Sequence, residues 1–388
     1  MAAAVSLGMT RFAYALLLPP MRDDLLWSYT LAGAMNTFNA VGYLVGALLT
    51  PFLLRRWGAV RLLIWGALAA SVFMAMTGFL TDTVDLLLQR FLAGVASAIV
   101  FVSGGLLAAR LGAHMPAQSG FLLGLYYGGT GWGIVLSALM VPASLGWAKA
   151  QSIEHPWSWS WWSLAGICLL STLMLAFLKK PLSRWAPETQ TVSATTFTLP
   201  QMLKVWQQWS FALIAYAFFG VGYIGYMTFV IALLREQGAS SSDITVFYAL
   251  LGVAVVISSR VWAGLLNHFR GGQALSILSA LLSFATIIPS LTSVGAFMMI
   301  SGLIFGGVFL SLVASTTAMV KHNLPPAQWA SGISAFTVIF AVGQIVGPVV
   351  VGWIADGSGG LQRGLLVSAI VLLVGACFAW QQKPLSRE

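Results

Sequence analysis

The sequence predicts an all-α membrane protein with twelve transmembrane helices arranged as two pseudo-symmetric six-helix bundles. Three observations support this prediction: the composition, the length of the apolar runs and a weak internal repeat. Of the 388 residues, 59% are hydrophobic and only 7% are charged, against about 25% charged residues in an ordinary soluble domain. Water could not solvate a surface of this composition, so soluble, disordered and secreted disulfide-linked proteins are excluded.

Apolar runs follow one another along the chain, and each is long enough for a helix to cross a bilayer, which takes about 20 residues. The predicted spans are 2–20, 29–54, 60–80, 85–111, 118–144, 159–178, 208–234, 242–267, 273–291, 294–320, 328–355 and 361–381. They are too long for the strands of a membrane barrel, which need about 9–11 residues of alternating polarity.

The longest polar connection, residues 179–207, separates an N-terminal bundle of residues 1–178 from a C-terminal bundle of residues 208–388. Both halves repeat the same features in the same order. A basic turn follows the second span of each half, and the fifth span of each half is rich in glycine. Repetition of this kind indicates an architecture built twice.

Basic residues are concentrated in the loops on the side of the two termini, which carry twelve of them against four on the other side. The twelve are Arg55, Arg56, Arg61, Arg110, Lys179, Lys180, Arg184, Lys204, Arg270, Lys321, Lys383 and Arg387, and the four are Arg22, Lys149, Arg235 and Arg363. Cytoplasmic loops carry such an excess. We therefore expect a multi-pass protein of a bacterial inner membrane with both termini in the cytoplasm, and we explain the net charge of +9 this way rather than by nucleic-acid binding.

Two arginines, Arg11 and Arg90, are the clear cases of a charge inside the bilayer, where a charge is costly and indicates function. We expect Arg11 to be a cavity cation that faces the substrate or organises a gate, the alternative being a structural partner of a Tyr, an Asn or a backbone carbonyl. Arg90 is a candidate coupling or gating residue, unless it extends to the nearby membrane surface. None of the ten acidic residues is predicted at mid-membrane depth. This imbalance favours an anionic or zwitterionic substrate, because a carboxylate or phosphate can accept two hydrogen bonds from one guanidinium.

Aromatic and amide side chains on several spans could line a small-molecule cavity around Arg11. The candidates for substrate binding or gating are Tyr14, Asn36, Asn39, Tyr126, Tyr127, Tyr223, Tyr226 and Gln344. Each of them could instead serve helix packing. Gly128, Gly347 and Pro348 are predicted to permit close helix packing or hinge bending. The tryptophan-rich segment 157–162 is interpreted as an interfacial aromatic belt.

The sequence contains no recognisable catalytic constellation. It has no phosphate-binding glycine loop with a lysine, no nucleophile elbow, and no cysteine or histidine cluster with metal-ligand spacing. We therefore expect no enzymatic activity, no cofactor and no metal site. Cys168 and Cys377 both fall in apolar stretches and are expected to be small core residues.

Two local motifs agree with the predicted topology. The string 88–94, Leu-Gln-Arg-Phe-Leu-Ala-Gly, has an arginine four residues before a glycine, and the string 343–352 places Gly347-Pro348 in the eleventh span. With twelve spans and a long central linker, they make the whole chain resemble the major facilitator superfamily. The string Gly-Met-Thr-Arg-Phe-Ala-Tyr at 8–14 is similar to its bacterial YbfB/YjiJ-like branch.

The resemblance implies a secondary active transporter that moves a small organic solute by alternating access, with an anionic or amphipathic metabolite as the favoured substrate. It also implies a monomer in the lipid bilayer, with protons as a candidate coupling ion. Arg55 stands where the superfamily has an acid in the loop after helix 2, and Gly-Thr-Gly-Trp-Gly at 129–133 replaces its Gly-Pro antiporter motif. These departures weaken, but leave open, a multidrug/proton antiporter, and a non-transporting receptor with the same fold is a further alternative.

Overall fold

The computed structural model describes residues 1–114, 119–179, 181, 206–325 and 328–385, and within them the chain is helical without strands. The first helix, α1, consists of a π-helical stretch, Ala4–Phe12, followed by an α-helix, Tyr14–Asp24. The others are α2 (Tyr29–Trp57), α3 (Ala59–Thr77), α4 (Thr83–His114), α5 (Ser119–Ala150), α6 (Pro156–Phe177), α7 (Ser210–Glu236), α8 (Ser241–Val261, continued as Ala263–His268), α9 (Gln273–Leu291), α10 (Gly295–Asn323), α11 (Trp329–Ala355) and α12 (Gly360–Gln381).

The predicted all-α membrane architecture is confirmed, since each predicted span has a helix. Among the described residues, 11 helices are long and apolar enough to cross a membrane. The first span falls outside that number because its helix changes geometry in the middle, at Ala13, so that neither part alone is long enough. Together the two parts cover the predicted first span.

Local sequence signals explain where several helices begin and end. The Ser28 hydroxyl accepts a hydrogen bond of 3.1 Å from the Leu31 amide and caps α2, as serine commonly does at a helix N-terminus. Ser240 and Asp243 form a reciprocal capping box at the start of α8. Gly58 separates α2 from α3 with a φ of 73°, a conformation that glycine adopts without steric cost.

The first six helices pack mainly on one another, as do the last six. In the N-terminal half α4 packs against α2 and α3, and α6 against α3 and α5, while in the C-terminal half α12 packs against α7 and α9, and α10 against α8 and α9. The two halves meet along three helix pairs, which are α2 with α11, α5 with α8, and α1 with α7. The boundaries at 179 and 207 remain a prediction, since most of that linker lies outside the described residues.

The bundle has two ends, which we name by the chain termini. The terminal face holds the start of α1 and the end of α12. Near it, the Gln382 carbonyl accepts a hydrogen bond from Gly272, before α9, and the Leu385 amide donates to Asn323, at the end of α10. The opposite end, where α1 ends and α2 begins, is the distal face. Arg55, Arg56 and Arg61 are exposed at the terminal face.

Glycines allow the two halves to approach closely. A methyl group at Gly131 of α5 would overlap the backbone of Gly252 in α8, and one at Gly33 of α2 would overlap the Pro348 carbonyl of α11. At Gly128 the same methyl group would make an ordinary contact, 3.6 Å from the nearest backbone oxygen of α8. Close packing therefore requires glycine at Gly131, which the sequence analysis did not single out, rather than at Gly128. Gly347 packs inside the C-terminal half, against α7.

Candidate functional site

Arg11 lies at the interface between the two halves and is 3% exposed. Its Nη2 atom donates a hydrogen bond to Oε1 of Gln344 on α11. The guanidinium carbon lies 5.6 Å from the ring centroid of Tyr43, within the range of a cation–π contact. Its Nε atom is buried without a hydrogen-bond partner. Arg11 and Gln344, both predicted site residues, therefore meet across the interface.

The backbone around Arg11 is π-helical. The Ala13 amide donates to the Gly8 carbonyl, five residues back, over 3.1 Å, whereas an α-helix pairs residues four apart. Gly8 also packs directly against Gly133 of α5, where any side chain would overlap. Short π-helical segments occur often at functional sites, and this one carries the most buried part of α1.

Arg90, on α4, is 2% exposed and is held inside the N-terminal half. Its Nη1 atom donates to the Thr10 carbonyl over 3.1 Å, and its Nη2 atom donates to Oδ1 of Asn36 over 3.4 Å. Its guanidinium carbon also lies 4.9 Å from the ring centroid of Tyr14 and 5.7 Å from that of Trp161. The hydrogen-bond and ring partners of Arg90 are thus neutral groups of α1, α2 and α6.

The two asparagines of α2 that were predicted as site residues both form hydrogen bonds with Arg90. Asn39 donates to the Arg90 carbonyl over 3.1 Å. Asn36 donates through Nδ2 to the Thr228 hydroxyl of α7 over 2.7 Å. Since Asn36 also accepts from Arg90, a chain of hydrogen bonds runs from Arg90 through Asn36 into the C-terminal half. This arrangement could connect a change at α4 with a change at α7.

Aromatic rings flank Arg11 on its terminal-face side. The N-terminal half contributes Tyr43, Phe101, Tyr126 and Tyr127, and the C-terminal half contributes Tyr216, Phe219, Tyr223 and Phe340. Tyr223 lies close enough to Arg11 for an electrostatic interaction. Tyr127 keeps 43% of its surface exposed. Of the predicted lining tyrosines, Tyr127 and Tyr223 therefore belong to the surroundings of Arg11.

Three other residues that were predicted to line the cavity pack between helices instead. The Tyr14 hydroxyl donates to the Ala32 carbonyl over 2.9 Å, and its ring contacts Arg90 rather than Arg11. The Tyr126 hydroxyl donates to the Phe101 carbonyl over 2.6 Å. Tyr226 lies inside the C-terminal half, with its hydroxyl 2.7 Å from that of Ser301 and its ring stacked on Phe305.

At 3.6 residues per turn, Tyr216, Phe219, Tyr223 and Tyr226 fall within an arc of about 80° around α7, and Tyr226 lies at one edge of this arc. Helix spacing alone therefore does not separate Tyr226 from the other three, and the packing partners of each ring decide its position. Tyr216 and Tyr223 stack on Phe340, whereas Tyr226 faces α10.

The distal face is closed by contacts between the halves. The Asp356 carboxylate, just after α11, accepts hydrogen bonds from the first residues of α2: the Tyr29 amide at 2.7 Å, the Thr30 amide at 2.9 Å and the Thr30 hydroxyl at 2.6 Å. The Tyr29 hydroxyl donates to Glu236, at the end of α7. Further in, the Thr37 hydroxyl donates to the Ile345 carbonyl over 2.6 Å.

The predicted tryptophan belt is only partly a surface feature. Trp157 and Trp161 are fully buried, and Trp157 donates through Nε1 to Oδ2 of Asp24 over 2.5 Å. Trp159 and Trp162 are partly exposed. Residues four apart lie on the same face of a helix, so that α6 turns Trp157 and Trp161 inward together.

The acidic residues that the structure describes lie at or next to the distal ends of helices. They are Asp23, Asp24, Asp82, Asp85, Glu154, Glu236, Asp243 and Asp356. In the same part of the chain, no group of three or more His, Cys, Asp or Glu side chains could hold a metal ion. The two buried arginines therefore have no carboxylate beside them among the described residues.

Sequence reasoning missed several residues of this region. Tyr43 follows Asn36 by seven residues and Asn39 by four, a spacing that places all three on one face of α2, so its position could have been inferred. Thr228, Trp161 and Asp356 gave no such signal. Their roles depend on partners far away in the sequence.

The comparison with known families decides the identity of the fold. A family model described as "Uncharacterised MFS-type transporter YbfB" matches residues 3–380. The chain belongs to this family. It is therefore a multi-pass membrane transporter of the major facilitator superfamily, which moves a small organic solute.

Curated relatives resemble the chain over most of their length. It is 24% identical to the 3-(3-hydroxy-phenyl)propionate transporter of Escherichia coli, covering 88% of this chain and 84% of the relative. It is 22% identical to the cis,cis-muconate transport protein of Acinetobacter baylyi, covering 92% and 89%. It is 25% identical to a putative tartrate transporter of Agrobacterium vitis, covering 92% and 82%.

Solved structures share the fold at lower sequence identity. A bacterial homologue of the human lysosomal transporter Spinster superposes with a TM-score of 0.71 at 15% identity, covering 98% of this chain and 95% of the other. The nucleoside transporter NupG superposes with a TM-score of 0.69 at 15% identity, covering 98% and 99%. These likenesses show the fold alone.

Proposed function

We propose that the protein transports a small organic anion, that the carboxylate of this anion binds Arg11, and that the two halves move around this site by alternating access. The observation that carries the proposal is that the Arg11 guanidinium has no carboxylate partner among the described residues. It is 3% exposed, lies between the halves, and makes its one side-chain hydrogen bond among the described residues to the neutral amide of Gln344.

A buried charge without a counter-ion is expensive. Removing it from water costs several kcal/mol after the protein has relaxed, and the cost is lowered when an opposite charge with matching hydrogen-bond geometry is bound. A carboxylate accepts two parallel bonds from a guanidinium. Arg11 therefore prefers a carboxylate to a neutral solute or a cation. Arg90, also without an acidic partner among the described residues, adds to the positive potential.

The position of Arg11 gives the anion a way to drive a conformational change. Arg11 belongs to α1 and Gln344 to α11, so a carboxylate that takes over the guanidinium alters a contact between the halves. A ligand shifts an equilibrium only through unequal contacts in the two states. Transporters of this architecture place their sites between two repeats near the bilayer midplane, and the position of Arg11 between the two halves supports the same arrangement here.

The proposed membrane orientation makes the terminal face cytoplasmic, because the loops there carry the excess of basic residues. Contacts at Asp356, Glu236 and Gly33 hold the distal face together. Tyr127, on the terminal side of Arg11, keeps 43% of its surface exposed. We therefore assign this conformation to a site approached from the cytoplasm of a bacterial inner membrane, with one chain forming the whole site as a monomer.

The relatives support the same substrate class. Hydroxyphenylpropionate, muconate and tartrate, the solutes in their names, are all carboxylates. A cation/proton antiporter would be better served by a central carboxylate, and the described acids are all distal. Proton coupling is a separate question that the transport experiment addresses.

Flux measured in proteoliposomes tests the proposal. Radiolabelled 3-phenylpropanoate, muconate and tartrate are supplied with an imposed pH gradient and an internal pH dye. Wild type is compared with Arg11→Gln, Arg11→Lys and the matched control Arg61→Gln, which changes an exposed arginine of the terminal face.

Transport of at least one acid, lost in Arg11→Gln and kept in Arg61→Gln, is the expected result. Arg11→Lys should retain part of the activity, because lysine keeps the charge but not the paired donors. Dye movement with the acid would add proton coupling. Transport of a lipophilic cation that is indifferent to Arg11 would contradict the proposal.

A further inference from the structure

We infer that the site selects an aromatic carboxylate, with its ring held between aromatic side chains of the two halves and its carboxylate on Arg11. This inference rests on the proposed function, because it presumes that Arg11 binds an anion. It adds the residues that choose among anions. These are Tyr43 and Tyr127 on one side and Tyr223 and Phe340 on the other.

The N-terminal half presents a cluster that we call the N-side rings: Tyr43, Phe101, Tyr126 and Tyr127. The ring centroids of Phe101 and Tyr127 are 5.9 Å apart, those of Tyr126 and Tyr127 5.4 Å, and those of Tyr43 and Phe101 6.5 Å. Tyr43 also lies against Arg11. The cluster therefore starts at the cation and continues from it through α4 to α5.

The C-terminal half presents rings that are nearly parallel, which we call the C-side rings: Phe219, Tyr223, Phe309 and Phe340. Phe219 and Phe340 are 5.2 Å apart with an angle of 11° between their planes. Tyr223 stacks on Phe340 at 5.4 Å and 20°, and on Phe309 at 6.1 Å and 9°. Rings ordered in this way offer flat faces in one common direction.

The two clusters meet across the interface beside Arg11. Tyr43 lies within electrostatic reach of Tyr127, of Arg11 and, in the other half, of Tyr223. Tyr127 likewise lies within reach of Tyr216 in the other half. Tyr127 is also 43% exposed. Aromatic rings and phenol hydroxyls from both halves therefore surround the cation.

This combination matches an aromatic acid better than other anions. Aromatic pairs prefer offset-stacked or edge-to-face contacts and contribute beyond the apolar area that they bury. A substrate ring can make both kinds of contact here while a short spacer lets its carboxylate reach Arg11. The phenol hydroxyls can also bond a hydroxyl group on the ring. A polyhydroxylated acid without a ring would leave the aromatic faces unmatched.

The test compares three organic acids in proteoliposomes: 3-phenylpropanoate, 3-cyclohexylpropanoate, which matches it in charge and size, and tartrate. Wild type should have a KM for the phenyl acid about 3- to 10-fold lower than for the cyclohexyl acid, the range that aromatic pairing energies give. Tyr43→Leu and Phe340→Leu should abolish most of this difference. Phe284→Leu makes the same change on an exposed ring of α9 and should leave it intact.

Further variants separate loss of selectivity from loss of folding. Tyr43→Phe keeps the ring and should keep the preference for the phenyl acid. Equal KM values for the phenyl and cyclohexyl acids, with flux that still depends on Arg11, would overturn the aromatic inference and leave the proposed carboxylate transport intact. Preference for tartrate would do the same. Flux of none of the three acids, together with flux of a lipophilic cation, would overturn both.

Discussion

Arg11 and Arg90 are both buried, yet their surroundings differ in a way that separates their roles. Arg90 donates to Thr10 and Asn36 and lies between two aromatic rings. Arg11 has a single side-chain hydrogen bond among the described residues. The Nε atoms of both arginines are buried without a hydrogen-bond partner. Arg11 therefore keeps more donors available to a ligand than Arg90 does.

Replacing each arginine by methionine should therefore affect stability to different extents. Arg90→Met leaves the Thr10 carbonyl and Asn36 Oδ1 without their donor, and we expect a loss of about 2–4 kcal/mol, as for other broken buried networks. Arg11→Met leaves only Gln344 Oε1 without its donor and should cost less than Arg90→Met. Thermal unfolding in detergent measures both. Equal losses would mean that Arg11 is a structural residue.

The sequence predicts which residue types belong to the site better than it predicts which residues meet. Arg11 and Arg90 are recognisable because a charge in an apolar span needs an explanation. The contact between Arg11 and Gln344 joins residues 333 positions apart, and no local pattern indicates it. Helical spacing predicts the face of a helix only approximately, and a small rotation turns a side chain from a cavity into helix packing. For this reason Tyr14, Tyr126 and Tyr226, which the sequence places in the lining, pack between helices instead.

At the level of the helices, the contact of Asp356 with α2 holds the two halves together on the distal face. The carboxylate accepts from two backbone amides at the N-terminus of α2, where the helix dipole also favours a negative charge. Arg55, which stands where the superfamily has an acid, lies in the last turn of α2, at the terminal face. In this molecule the acid that bonds a helix terminus across the halves is Asp356, at the distal face.

The Asp356 contact should be stable over the ordinary pH range. Burial alone would raise the pKa of Asp356, but hydrogen bonds from Thr30 and from the backbone of Thr30 and Tyr29 outweigh it and hold the pKa below its ordinary value of 3.8. A carboxylate with a lowered pKa stabilises the closed form fully at pH values above its ordinary pKa. This stabilisation disappears as the pH falls through the lowered pKa. Opening driven by Asp356 is therefore expected only below about pH 4.

Closure of the distal face can be measured by introducing Thr37→Cys in a Cys377→Ser background. The new cysteine is labelled with a membrane-impermeant thiol reagent. Asp356→Asn should increase labelling roughly fivefold, since a helix cap contributes about 1 kcal/mol. Asp82→Asn is the matched control, because Asp82 caps α4 within its own half. His155→Gln controls for the contact of His155 with Asp24. Labelling that rises between pH 7 and 5 would assign the closure to groups other than Asp356.

The close contact between α2 and α11 can be tested with a substitution that changes no charged residue. Gly33→Val would place its side chain against the Pro348 carbonyl and the Phe229 ring, so we expect the distal ends of the helices to separate and labelling of Thr37→Cys to increase. Gly166→Val is the matched control, since nothing lies within 4 Å of a methyl group at Gly166. No increase in Gly33→Val, with normal folding, would contradict the close contact between these helices.

Helix positions were the most predictable feature of the molecule. The span 273–291 coincides with α9, and the others differ mainly at their ends. Long apolar runs set these positions, because the bilayer requires them. The change from π-helix to α-helix within α1 could not be predicted, since it depends on how Gly8 packs against Gly133.

For the whole molecule, charge is separated along the membrane normal. The described acids are at the distal face, and the basic residues predominate at the terminal face. A fluorescent protein fused after Glu388 should therefore fluoresce in the bacterial cytoplasm, whereas alkaline phosphatase fused there should be inactive. The opposite pair of results would reverse the orientation and place the open side of the site outside the cell.

The most direct test of the central claim is a structure determined with 3-phenylpropanoate bound. We predict that its carboxylate lies within hydrogen-bond distance of the Arg11 guanidinium, replacing the bond to Gln344, and that its ring lies between Tyr43 and Phe340. A carboxylate bound elsewhere, at Arg90 or at the arginines of the terminal face, with the bond between Arg11 and Gln344 intact, would contradict the assignment of Arg11 as the anion-binding residue.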